Sequence, residues 1–129
     1  MAPRTDLSAF DGVALFAAYD GRALAPLAAH ADRVAVLPGV ILAREGHQAR
    51  EVLVILSGEV LVSRGDRPLD LLGPGAVIGA REELDRTPHG ATYVAGSGVA
   101  ALALPGHSFR WAVQTLPGLA PALGLTAAA

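Results

Sequence analysis

The spacing of apolar positions changes character along this chain. Between Asp11 and Ala31, the residues Val13, Leu15, Phe16, Leu24, Leu27 and Ala28 recur at helical intervals, with a break at Asp20-Gly21. That pattern predicts two short helices joined by a turn, with Asp20 as N-cap of the second. After Asp32 the apolar runs shorten to strand length: Val34 to Leu37, Val40 to Leu42, Val52 to Leu56, Val60 to Val62 and Leu69 to Leu72. Each is bounded by glycine, proline or a charged turn, and many short strands so punctuated predict a sandwich or jelly roll. Ala80 to Leu84 reads as a short helix, and Ala91 to Ala95 and Val99 to Leu104 as two further strands. Pro105-Gly106 then opens a closing helix carrying Phe109, Trp111, Ala112, Val113 and Leu116. Little beyond one more turn of helix is expected over Pro117 to Ala129, where two prolines interrupt the pattern.

Composition narrows the function classes. With 129 residues and 52% hydrophobic content, the chain is long enough for one domain with a proper core and too short for two of ordinary size. A net charge of −2 supplies no basic field for a phosphate backbone, so direct nucleic-acid binding is not expected. The absence of cysteine excludes disulfides, thiolate metal sites and cysteine nucleophiles. Every Lys/Arg-type cation is arginine, spread along the chain without a cluster, which reads as coding bias. There is no secretory h-region and no run of about 18 apolar residues, so neither a signal peptide nor a membrane span is expected, and the expected location is the cytoplasm.

Candidate chemistry is sparse. A helix beginning at Ala80 points backbone N–H groups into the Gly75–Gly79 turn, a geometry that can face an anion. The glycines make no dinucleotide fingerprint. Ser57, Ser63, Ser97 and Ser108 lack a Gly-x-Ser-x-Gly elbow, so no catalytic residue is assigned and the chain is not expected to be an enzyme. Ser108 reads as a helix cap or a surface hydroxyl, and Phe109 and Trp111 read as core anchors.

The stretch Leu72-Gly73-Pro74-Gly75-Ala76-Val77-Ile78-Gly79-Ala80, followed eight residues later by His89-Gly90-Ala91-Thr92, resembles the phosphate-binding cassette of the cyclic-nucleotide-binding family. Further matches keep the same order. Leu15-Phe16 resembles the family's opening pair, Gly39-Val40-Ile41 and Gly46 its first glycines, Ile55 to Val60 its hairpin, and Phe109 with Pro117-Gly118-Leu119 its closing helix. The resemblance covers about residues 12 to 124 and implies a mainly β fold. That fold is a jelly roll of about eight strands with N- and C-terminal helices and a short helix in the cassette.

Within the resemblance two positions depart. The family cassette places Glu on the ribose 2′-hydroxyl and Arg on the cyclic phosphate, and here those positions hold Ala80 and His89. Losing two charge-assisted contacts of about 1.5–3 kcal/mol each weakens binding by roughly 10² to 10⁴-fold. Glu82 and Glu83, expected in the first turn of the short helix, compete with a phosphate, leaving Arg81 as that turn's cation. Protonated His89 can keep part of the phosphate contact. The resemblance also places Gly79, Gly90 and Ala91 around the ligand, with Leu69 and Asp70 on the wall near the base, Leu69 as a core position of the roll.

The function so implied is a regulatory sensor with weak or lost cAMP and cGMP binding, no cofactor, and a cyclic nucleotide or other small anion as candidate ligand. An isolated module of this kind needs a separate protein as its output partner. The alternative is a ligand-free interaction domain on the same fold. A further alternative rests on Glu45-x-His47-x₃-Glu51-x₆-Gly58, which resembles part of the first cupin motif and would offer Glu45, His47 and Glu51 to a divalent metal.

Overall fold

The computed structural model describes residues 14–125. A 3-10 turn at Ala14–Phe16 leads into helix α1 (Gly21–Ala28), where the Asp20 carboxylate accepts the Ala23 amide at 2.8 Å and caps the helix as expected. Of the first predicted helix only this turn falls within the described residues; Val13 and the residues before it lie outside them.

Strands β1 (Asp32–Val36), β2 (Ile41–Ala43), β3 (Glu51–Ser57), β4 (Val60–Arg64), β5 (Arg67–Leu72) and β6 (Val77–Ile78) follow. Helix α2 (Ala80–Asp85), strands β7 (Thr92–Ala95) and β8 (Val99–Pro105), and helices α3 (Gly106–Thr115) and α4 (Leu119–Ala122) complete the order. The strand missing from the sequence reading is β6. Its two residues sit in a glycine-flanked run too short to show a period.

The strands form two four-stranded sheets, β1-β8-β3-β6 and β2-β7-β4-β5, with antiparallel pairing throughout. Crossovers between the sheets make the expected roll. The central strands of the first sheet, β3 and β8, are covered on both faces. Along β3, Val52 and Val54 join the cluster under the helices with Phe16, Leu27 and Phe109, while Leu53 and Ile55 join the roll interior with Val60, Ile78 and Ala95. Strand β8 divides likewise, Leu102 and Leu104 to the helices, Ala101 and Ala103 to the interior. This double burial explains why both strands read as continuous apolar runs.

The second sheet is covered on one face only. Val60 and Val62 point inward, while Leu61 opposite Leu71, and Ile41 opposite Val94, lie on the outer side, where Leu61 is 49% and Leu71 53% exposed. The β3–β4 turn fixes the junction of the two sheets. Gly58 has φ +94, and a Cβ there would run into the Gly98 carbonyl and the Val99 backbone, so no other residue fits that corner.

Candidate functional site

The chain leaves β6 at Ile78 and bends at Gly79, whose φ of +91 caps α2. A Cβ at Gly79 would stand 3.0 Å from the Glu51 carbonyl and 3.3 Å from His89 Cε1, so glycine alone lets the bend lie this close to β3. Ala80 begins α2 and is buried, packed in the cluster beneath the helices with Phe16, Val52 and Val54. The first-turn amides of α2 have no intrahelical acceptor.

The charged side chains of α2 do not gather at this bend. Arg81 is exposed, its Nη2 donating to the Gly124 carbonyl at 3.3 Å and its Nη1 lying 3.9 Å from Asp85 Oδ2. Glu83 corrects the sequence expectation more sharply. It is 4% exposed, forms an ion pair with Arg110 of α3, and its carboxylate lies where a Cβ on Gly106 would be. Its charge is committed to joining α2 and α3, not placed before an anion; the bulk of α3 and the glycine at its start are what the one-dimensional pattern could not show.

His89 is 8% exposed and is held by its backbone, its N–H donating to the His47 carbonyl at 2.9 Å and its carbonyl accepting the Gly46 amide at 2.8 Å. Its ring meets Tyr93 edge to face, with centroids 6.3 Å apart, and its Nδ1 is buried without a partner. One side of the residue lines a cavity of about 190 Å³. The floor of that cavity is apolar, from Ala43, Leu53 and Ile78, and its rim carries Arg44, His47, Gln48, Arg50 and Glu51 from the segment between β2 and β3. The cassette therefore brings one basic group to the cavity, and the arginines there come from elsewhere. Sequence reading missed Arg44 and Arg50, because nothing local marks them as neighbours of His89.

Around this cavity, Tyr93 has its phenol pushed above the ordinary value of about 10, chiefly by burial and further by the Glu82 carboxylate, with Arg64 pulling the other way. The phenol is thus protonated at neutral pH. Ala91 is buried, and Gly90 offers its carbonyl to Arg64 Nε at 2.9 Å. Leu69 and Asp70 do not line the cavity beside His89. Leu69, expected in the core, is 44% exposed, because β5 is an edge strand and a bulge between Val62 and Ser63 shifts its pairing with β4. Asp70 accepts the Leu71 amide at 2.7 Å and lines a separate depression with Leu61, Ser63 and Val94.

The cupin-like reading fails on geometry. Glu45 Oε1 accepts the Gly65 amide at 2.9 Å, and no group of three or more His, Cys, Asp or Glu among the described residues is placed to hold a metal ion. Ser108 is also corrected. It is 4% exposed and does not cap α3, whose N-cap is Pro105 with no side-chain bond. Phe109 is buried and Trp111 packs on the same cluster, as core anchors should. No helix among the described residues is long and apolar enough to cross a membrane.

Comparison with known proteins agrees with this architecture. In solved structures, the chain is similar to a cAMP-binding acyltransferase from Mycobacterium smegmatis, at 31% identity and a TM-score of 0.75, over 87% of this chain and 36% of that one. It is similar to the N-terminal domain of a transcriptional regulator from Streptomyces coelicolor, at 31% identity and a TM-score of 0.67, over 84% of this chain and 79% of that one. The regulatory subunit of a cAMP-independent protein kinase A from Trypanosoma brucei shares the fold, at 22% identity and a TM-score of 0.77, over 88% of this chain and 41% of that one. The chain thus spans well under half of the acyltransferase and of the kinase subunit. A comparison with curated proteins gives no significant match. The profile of the cyclic nucleotide-binding domain matches residues 33–115, from the first strand through the closing helix, and the chain, with its two four-stranded sheets and glycine-capped cassette helix, belongs to that regulatory family.

Proposed function

We propose that this chain is a regulatory module and not an enzyme, with weak or lost binding of cAMP and cGMP, and with Gly79, Ala80, His89, Gly90 and Ala91 forming what remains of a small-anion site. One observation supports this most. Of the cassette's two guanidinium groups, Arg81 turns to Gly124 and Asp85 and Arg86, at the end of α2, does not line the cavity, so the cassette gives the cavity an imidazole and no fork of donors. Ala80 has no group to accept a ribose hydroxyl, and its methyl is buried under the helices. Leu69 and Asp70 lie outside the lining of that cavity. A module of this kind acts through a separate protein, by changing shape or stability when the cavity fills.

Calorimetric titration with cAMP and cGMP near pH 6 and near pH 7.5 tests the reading. Affinity no tighter than about millimolar is expected for both nucleotides at either pH. Micromolar affinity for either nucleotide overturns it.

A second reading, a ligand-free interaction domain, is favoured by the outer face of the second sheet, where Ile41, Leu61 and Leu71 are exposed side by side with Val94 between them. The two readings part on one substitution. Leu61→Glu removes partner capture under the second reading and leaves it intact under the first.

A further inference from the structure

Away from the cassette, α1 and α3 enclose a cavity of about 280 Å³ lined by Pro26, Ala29, His30, His107, Ser108 and Trp111. His30 lies just past the end of α1, and His107 in the first turn of α3. The two imidazoles meet edge to face with centroids 5.6 Å apart and planes at 70°. Both residues are exposed, and neither ring has a hydrogen bond or ion pair among the described residues.

We infer that His30 and His107 form a two-imidazole site for a divalent transition-metal ion, which bolts α1 to α3. A tetrahedral zinc ion holds imidazole nitrogens at about 2.0–2.1 Å. Adding roughly 1.15 Å from nitrogen to ring centre places two such rings about 5.2 Å apart at the tetrahedral angle. The observed separation lies within a few tenths of an ångström of that spacing, a gap that rotation of two exposed side chains closes. Imidazole is the donor that zinc, copper and nickel share, and a site with two protein ligands leaves the remaining positions to water or to a small ligand entering the cavity. The C-terminal end of α1 favours a cation, the start of α3 acts the other way, and the Arg110 guanidinium one turn beyond His107 is paired with Glu83. Ser108, whose hydroxyl is buried without a partner, adds one polar group to a wall that is otherwise apolar apart from the two imidazoles.

The test uses the chain's one tryptophan, Trp111, which lines this cavity. Titration with Cu²⁺ or Ni²⁺ is expected to quench its emission saturably at micromolar ion, with Zn²⁺ displacing the quencher and raising the thermal midpoint by several degrees. His30→Ala and His107→Ala are each expected to abolish quenching and the zinc shift while leaving the unliganded midpoint nearly unchanged, since both side chains are exposed. No saturable quenching, or quenching that survives both substitutions, overturns the inference.

Discussion

Helix α2 has two sides, and they have divided the charges of the cassette unequally. Toward α3, it presents a buried carboxylate, Glu83, paired with the guanidinium of Arg110 over a glycine that leaves just enough room. Toward the cavity, the cassette presents the glycine bend before α2 and the His89 imidazole beyond it, the Ala80 methyl being turned into the cluster under the helices. The resemblance to cyclic-nucleotide-binding cassettes implies a carboxylate and a guanidinium facing ligand. This chain has such a pair, yet it joins one helix to another. The contrast teaches that the backbone of the cassette is positioned by packing and a helix–helix ion pair, and not by a carboxylate and a guanidinium at Ala80 and His89, the positions that face ligand in the family.

The sharpest way to break this contrast is on the α3 side. Arg110→Ala leaves Glu83 buried without its partner, and a loss of about 3 kcal/mol is expected in urea unfolding, at the lower end of the range for broken buried pairs because Arg110 is 31% exposed. Removing both charges together, as Glu83→Gln with Arg110→Met, is expected to recover most of that loss. Gly106→Ala attacks the same junction sterically, and a cost of about 1–3 kcal/mol is expected in the same measurement.

On the cavity side the effects are smaller for stability and larger for ligand. Gly79→Ala meets the Glu51 carbonyl and a φ of +91, for an expected loss of about 1–2 kcal/mol. His89→Arg is expected to strengthen cAMP binding by roughly 10- to 100-fold in calorimetry, the value of one restored charge-assisted fork. Unchanged affinity would show that the bend no longer presents ligand at all. The smallest effect appears in alkali. Because Tyr93 is raised in the folded state, the unfolded chain loses that proton first as pH climbs through about 10, so stability falls there and not at neutral pH. Tyr93→Phe is expected to flatten that decline in thermal midpoints measured between about pH 9 and pH 11.

Much of the fold was legible because its determinants are local. The runs Val52 to Leu56 and Val99 to Leu104 announce strands buried on both faces, and Asp20 announces its own helix. Other features were hidden because their causes lie far along the chain. Glu83 meets Arg110 across 27 positions, and Arg44 and Arg50 reach His89 only once the β2–β3 segment has folded over the bend. Leu69 was misplaced for a subtler reason: a bulge at Val62 and Ser63 alters the register that alternation alone would assign, and β5 lies at an edge. Ser108 was misread because a hydroxyl beside a helix start looks like a cap, while Pro105 already occupies that position.

Strand β3 is a party wall between two rooms. Leu53 stands at the floor of the His89 cavity, and its immediate neighbours Val52 and Val54 press on the helices on the opposite side. Close-packed interiors do not absorb volume changes on one side only. Anything that pushes on that floor is therefore felt by α1, α3 and α4 without a hinge or a lid, and a tenant in one room makes itself known next door.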